Sequence, residues 1–226
     1  MVYTLLMSIF YLLMPVSIVL AFLWAPPAEI LGETSRILYF HVPVAWVAVL
    51  AFVMSGISAL LYLWDRNNRF FSMELKAYHA ALMGLVFCVI TVVTGSIWAK
   101  ASWGSYWNWD PRQTSIMVLF LIYIAYFSLY SAMRDNSRRD ILASAYLVFA
   151  MVTVPFLVFV IPRIYPSLHP DPIVNAQHRI NMDPSMQITL IFSMISFTLF
   201  FLYLYTLQLR AAILQRKIEE RQHEKL

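Results

Sequence analysis

Cysteine and charge are what this sequence has least of. Cys88 is the single cysteine, and it lies inside an apolar run. That excludes an intrachain disulfide, a metal site built on thiolates and a C-x-x-C-H cofactor-attachment motif. Only 12% of the 226 residues are charged, about half the share usual in soluble domains. Internal repeats and low-complexity segments are lacking too. The long apolar runs are almost free of ionisable residues, which argues against a polar conduit through a membrane. The +4 net charge comes from basic residues scattered among short turns and the tail. That pattern fits a membrane topology signal better than a nucleic-acid surface.

What is abundant is apolar: 61% of the residues, with a mean hydropathy of +0.69. About 20 apolar residues span a bilayer as a helix. Six such runs are legible, at about 4–24, 36–64, 73–98, 111–133, 140–161 and 184–209. The expected fold is therefore all-α: one membrane domain over residues 1–226 with six transmembrane helices. No basic leader with a cleavage site opens the chain, so the first run is expected to stay in place. The second run exceeds one span, and Pro43 divides it. Residues 36–42 then form a lead-in turn at the interface, with a bend at the proline. Asp110-Pro111 and Asp183-Pro184 both read as helix starts, the acid as N-cap and the proline in the first turn. Gln113 completes a capping-box-like spacing with Asp110. The tail, about 210–226, is charged and favours helix.

Six spans put both termini on one side. That side carries Arg66, Arg69, Lys76, Arg134, Arg138, Arg139, Arg210, Arg216, Lys217, Arg221 and Lys225, eleven basic residues against five opposite (Arg36, Lys100, Arg112, Arg163 and Arg179). The positive-inside rule then places both termini in the cytoplasm. Three remote stretches share the outer surface as a result: the turn around His41, a loop at about 99–113, and a longer loop at about 162–183 that holds His169 and His178.

The loop at about 99–113 carries Trp103, Trp107 and Trp109, three of the seven tryptophans, with Trp98 just before it. A membrane-edge belt spreads its tryptophans over many helix ends, so three on one loop suggest an aromatic shelf instead. With Asp110 and Arg112 at its rim, such a shelf suits a large flat apolar ligand with ionised edges. Haem is one: it asks for a flat apolar face, imidazole for its iron and cations for its propionates. His41, His169 and His178 face the same side, and Arg36, Lys100, Arg112 or Arg179 offer the cations. Taken singly, each histidine also reads as a plain polar residue at a membrane edge or in a loop. Asp110 reads equally as a helix cap. His79, at the cytoplasmic end of the third run, suits helix packing, and His223 a solvated tail. Zinc fits poorly, because no Cys or His cluster has ligand spacing.

The stretch Trp103-Gly-Ser-Tyr-Trp107-Asn-Trp109-Asp110-Pro-Arg112-Gln-Thr114 resembles the tryptophan-rich "WWD" signature of haem-handling membrane proteins. Tyr39-Phe-His41-Val-Pro43 resembles the histidine-bearing start of the second span in one branch, the CcmC family of cytochrome c maturation. The resemblance covers nearly the whole chain. A longer relative, the cytochrome c synthetase, shares the signature but has more spans and histidines. The resemblance implies that haem b is held non-covalently from the outer face by two axial histidines, His41 and, from its Leu-His context, Leu168-His169. Pro170 departs from the family pattern, and His178 is the rival for the second position. The resemblance further implies Trp103, Trp107, Trp109, Asp110, Arg112 and Arg36 around the haem, and the bacterial inner membrane as the location. It implies delivery to the periplasmic haem chaperone CcmE, and association with the ABC-transporter subunits CcmA and CcmB and the small membrane protein CcmD. Whether assisting covalent attachment to a partner's histidine makes the protein an enzyme stays open. The competing readings are a transport subunit conducting haem or another small molecule, and an electron-transfer cytochrome b, which needs histidine pairs deep inside the spans.

Overall fold

A computed structural model describes residues 2–65, 72–169 and 182–223, with side chains over 7–65, 72–169 and 182–222. The described residues form helices α1 (Val2–Val19), α2 (Leu38–Trp64), α3 (Met73–Trp103), α4 (Pro111–Ala132), α5 (Arg139–Pro155), α6 (Ile161–Ile164) and α7 (Pro184–His223). Two π-helical segments, Leu20–Trp24 and Phe156–Val160, extend α1 and α5, and a 3-10 turn, Glu33–Ile37, leads into α2. Six of the resulting helical stretches are long and apolar enough to cross a membrane.

The centre of the bundle is the α2–α3 pair. In α2 the buried residues are Tyr39, Pro43, Val44, Val47, Ala48, Ala51, Phe52, Ser55, Gly56 and Ala59. In α3 they are Ala77, Ala80, Ala81, Met83, Gly84, Phe87, Cys88, Thr91, Trp98 and Ala99. Both sets recur every three or four residues, so each helix buries one stripe. Small residues on those stripes let the helices approach closely, which is how membrane helices gain packing contacts. A Cβ on Gly84 would stand 2.4 Å from Phe52 Cδ1, and one on Gly56 2.3 Å from Met151 Cβ. Phe52 stacks on Tyr123 of α4 with ring centroids 3.6 Å apart. On the other flank α7 packs along α1, where Phe10 stacks on Phe200.

Several boundaries differ from the sequence expectation. The turn before α2 ends at Ile37, and α2 runs unbroken through Pro43. His41 therefore sits in the first turns of the helix and not on a separate turn. Helix α3 continues five residues past Trp98, so Trp103 is its last residue, closed by Gly104 at φ +80. The connecting loop is thus shorter than expected. Helix α4 starts at Pro111 as expected, with the Asp110 side chain accepting from the Arg112 N–H. Gln113, however, does not complete a capping box. Its Oε1 accepts from the Asn108 N–H and its Nε2 donates to the Tyr106 carbonyl, so it fastens the loop from below. The charged tail continues α7 as one helix of 40 residues.

Candidate functional site

Helix α3 is the rail on which the site is built. Near its end, His41 of α2 lies against it: Nδ1 is 2.9 Å from Thr94 Oγ1. Gly95 makes the room, since a Cβ there would be 2.8 Å from His41 Cε1. One turn further on, about 6 Å along the axis, stands Trp98. Its ring meets Trp103 edge-on at 4.9 Å. His169 packs against both, with centroids 5.6 Å from Trp98 and 4.8 Å from Trp103.

Asp110 ties the two loops together. It is only 3% exposed. Oδ1 accepts from the Arg112 N–H and lies 2.9 Å from His169 Nδ1. Oδ2 accepts from the Ser167 hydroxyl at 2.9 Å and the Leu168 N–H at 2.7 Å. Burial works to raise the Asp110 pKa. The Leu168 and Arg112 N–H groups, the His169 ring and the Ser167 hydroxyl outweigh it and hold the carboxyl below its ordinary range. Three hydrogen bonds and the close His169 ring thus surround the carboxylate.

The tryptophans divide into two pairs. Trp98 and Trp103 form the wall behind His169. Trp107 and Trp109 face each other edge-on at 5.8 Å. Trp109 is 77% exposed, at φ +55. A left-handed backbone at a bulky residue costs of the order of 1–3 kcal/mol and persists only where its surroundings impose it. The impositions here are the Asp110 cap on one side and the Gln113–Asn108 bond on the other.

The remaining candidates fall in different places. The Arg36 guanidinium donates to the Ala21 and Ala25 carbonyls and to Glu33. It serves the π-helical end of α1. Lys100 donates to the Gly104 carbonyl and lies over the Tyr106 ring. Arg112 sits in the first turn of α4, and its backbone N–H is the one Asp110 caps. His79 lies at the opposite end of α3, edge-on to Tyr78. His178 and Arg179 fall outside the described residues. Two residues that sequence reasoning passed over belong to the site, Thr94 and Gly95, which seat His41; Gln113, expected in a capping box, holds the loop instead. A Thr-Gly pair near the C-terminal end of a span was the available signal.

A family profile described as "Heme exporter protein C" matches residues 1–224. The chain belongs to that family. Among relatives, the heme exporter protein C of Bradyrhizobium diazoefficiens is 31% identical over 191 residues, covering 84% of this chain and 71% of the relative. That of Escherichia coli K12 is 29% identical over 192 residues, covering 84% and 75%. A putative cytochrome c biosynthesis ccmC-like mitochondrial protein of Marchantia polymorpha is 34% identical over 138 residues, covering 61% and 57%. The heme exporter protein C profile thus spans the signature loop, both site histidines and all six long apolar helices.

Proposed function

We propose that this protein holds haem b at the outer end of its bundle, between His41 and His169, and passes it on during cytochrome c maturation. The observation that carries the reading is the joining of three remote stretches at one end of α3: His41 on Thr94, and His169 on Trp98, Trp103 and Asp110. Imidazole is the usual ligand of haem iron, and family membership makes haem the cargo to test first. Trp109, exposed and edge-on to the half-buried Trp107, offers the porphyrin an apolar ring. Lys100 and Arg112 flank the signature loop in the chain and are the cations suited to propionates in this reading. Arg36, committed to carbonyls and Glu33, suits them less.

Both termini face the cytoplasm in this reading, and the site faces the periplasm. Delivery is to the haem chaperone CcmE, in company with CcmA, CcmB and CcmD. The protein's part is orientation and electronics, while the covalent chemistry belongs to haem and the acceptor. Cysteine labelling tests the topology: Ser105→Cys should react from the periplasmic side and Ser137→Cys should not, with Cys88 buried and silent. The reverse pattern would remove the shared outer site.

The deciding experiment is an absorption spectrum of protein purified with and without the chaperone. A low-spin bis-histidine haem spectrum is expected, lost in His41→Ala and His169→Ala and kept in His178→Ala. Loss in His178→Ala with a normal spectrum in His169→Ala would transfer the second ligand to the other loop residue.

A further inference from the structure

The fold holds the backbones of the two histidines in different ways. His41 is part of α2, and the hydrogen-bond ladder of that helix fixes it. His169 belongs to no helix. It ends the tripeptide Ser167-Leu168-His169, which lies between Pro166 and Pro170 in the chain. Prolines stiffen such a segment but have no N–H to donate. Tyr165, ahead of the first proline, is extended at φ −107 and ψ 143, the conformation that a following proline favours. No helix or strand is present to place the tripeptide, so its position must come from hydrogen bonds to side chains.

Those bonds converge on Asp110 and Ser167. Asp110 Oδ1 serves α4, where it accepts from the Arg112 N–H. Oδ2 serves the tripeptide: it accepts from the Ser167 hydroxyl at 2.9 Å and from the Leu168 N–H at 2.7 Å. Ser167 Oγ in turn accepts from the His169 N–H at 3.2 Å. A hydroxyl has one proton to donate and lone pairs with which to accept. The carboxylate takes that proton, which leaves the lone pairs to His169. Two of the tripeptide's three N–H groups are thus bound, one by a carboxylate oxygen and one by a hydroxyl anchored to the same oxygen. The His169 ring is bounded separately, by Trp98 and Trp103.

We propose that Ser167 is a positioning residue for the haem ligand His169, and that its hydroxyl relay to Asp110 sets how long bound haem is kept. The proposal rests on the reading of His41 and His169 as axial ligands. It gives the two oxygens of Asp110 separate duties: Oδ1 holds a helix start, and Oδ2 holds the backbone of a ligand. Ser167 touches no haem in this account and acts only through the position of His169. The ligand pair is unequal as a result. His41 moves only with its helix, whereas His169 is freed when one hydroxyl and one N–H leave Asp110.

The test uses the full chain in detergent, loaded with haem and mixed with excess apomyoglobin as the haem acceptor. Ser167→Ala removes the relay and leaves the Asp110 cap of α4 in place. It should lose haem to apomyoglobin about tenfold faster than the parent, the scale of one hydrogen bond to a charged group. Its low-spin spectrum should weaken, and added imidazole should restore it by standing in for His169. Ser167→Thr keeps a hydroxyl and should behave as the parent. In haem-free protein, the Leu168 and His169 amides should exchange with deuterium faster in Ser167→Ala, while thermal unfolding changes little. Should Ser167→Ala load no haem, this exchange and the rescue of loading by imidazole decide the matter. Parent-like haem loss in Ser167→Ala would overturn the proposal, as would haem loss equally fast in Ser167→Thr or unchanged amide exchange. A fall in stability matching that of Asp110→Ala would make Ser167 merely structural and overturn it too. Absence of a low-spin bis-histidine spectrum in the parent protein would instead overturn the function it rests on.

Discussion

The two ends of the bundle use charge in opposite ways. At the end bearing the tryptophans, one carboxylate is almost fully buried and is matched by backbone N–H groups, a serine hydroxyl and an imidazole. At the other end, acids meet guanidinium groups in partly exposed pairs: Arg216 contacts Glu74 of α3 and Glu220 of its own helix. Arg139 stacks over Tyr130 with its charge centre 3.9 Å from the ring centroid, and Asp140 is beside it. Solvated pairs contribute little, because water and ions screen them and both side chains lose freedom to meet. A buried, hydrogen-bonded carboxylate is different. Removing it strands every group that it satisfied. The ends therefore differ in how much one side chain can break, and substitution can test that difference directly.

The largest effect should come from Asp110→Ala. It deletes the cap of α4 and orphans Ser167, the Leu168 N–H and His169 together. A lost cap costs about 1 kcal/mol, and bonds to a charged group about 1.5–3 kcal/mol. A destabilisation of about 3 kcal/mol with loss of bound haem is expected, measured by thermal unfolding in detergent and by haem content. Loss of haem without any change in melting would separate the ligand role from the structural one.

Gly95→Ala should rank second. Its methyl group would arrive 2.8 Å from His41 Cε1, so the ring or α3 must give way. Overpacking of this kind costs about 1–3 kcal/mol. The expected sign is a fall in low-spin haem at near-normal protein abundance, since only the seat of His41 is disturbed. A normal spectrum would mean that the ring has a second acceptable position.

The smallest effect should come from Glu74→Gln at the far end. Its partner Arg216 keeps Glu220, and an exposed pair is worth about 0–1 kcal/mol. Haem content should match the parent, and melting should fall by no more than a degree or two. An effect as large as that of Asp110→Ala would erase the contrast between the two ends.

Much of this arrangement was legible in the sequence, for identifiable reasons. The six spans were visible because bilayer thickness imposes a length and a composition on each. The start of α4 was visible because a cap is a local event between Asp110 and Arg112 two residues on. The seat of His41 was not: Thr94 and Gly95 look like ordinary members of an apolar run until α2 is laid against α3. The partner of His169 was hidden for the same reason, since Asp110 is distant in sequence and had a sufficient local explanation as a cap. Arg36 has a local role that its sequence position did not show. Its charge suggested an anionic ligand, but the π-helical end of α1 leaves carbonyls at Ala21 and Ala25 that need a donor. A helix end one span earlier is not something that a count of basic residues can register. Trp98 was counted as a forerunner of the signature, whereas the extra length of α3 makes it the wall behind His169.

The Asp110 contacts also close a ring of chain. Between Asp110 and Leu168, 58 positions apart, the polypeptide crosses the bundle twice and makes a turn at the far end. Pinning two such distant points limits the loop entropy available to everything between them. Proteins often make closures of that span with a disulfide, which needs an oxidant to form and rearranges over minutes to hours without a catalyst. This chain, with its lone buried cysteine, makes the closure with one carboxylate. Such a ring can open and close at the speed of a loop, within nanoseconds to microseconds, and leave no covalent trace of having done so.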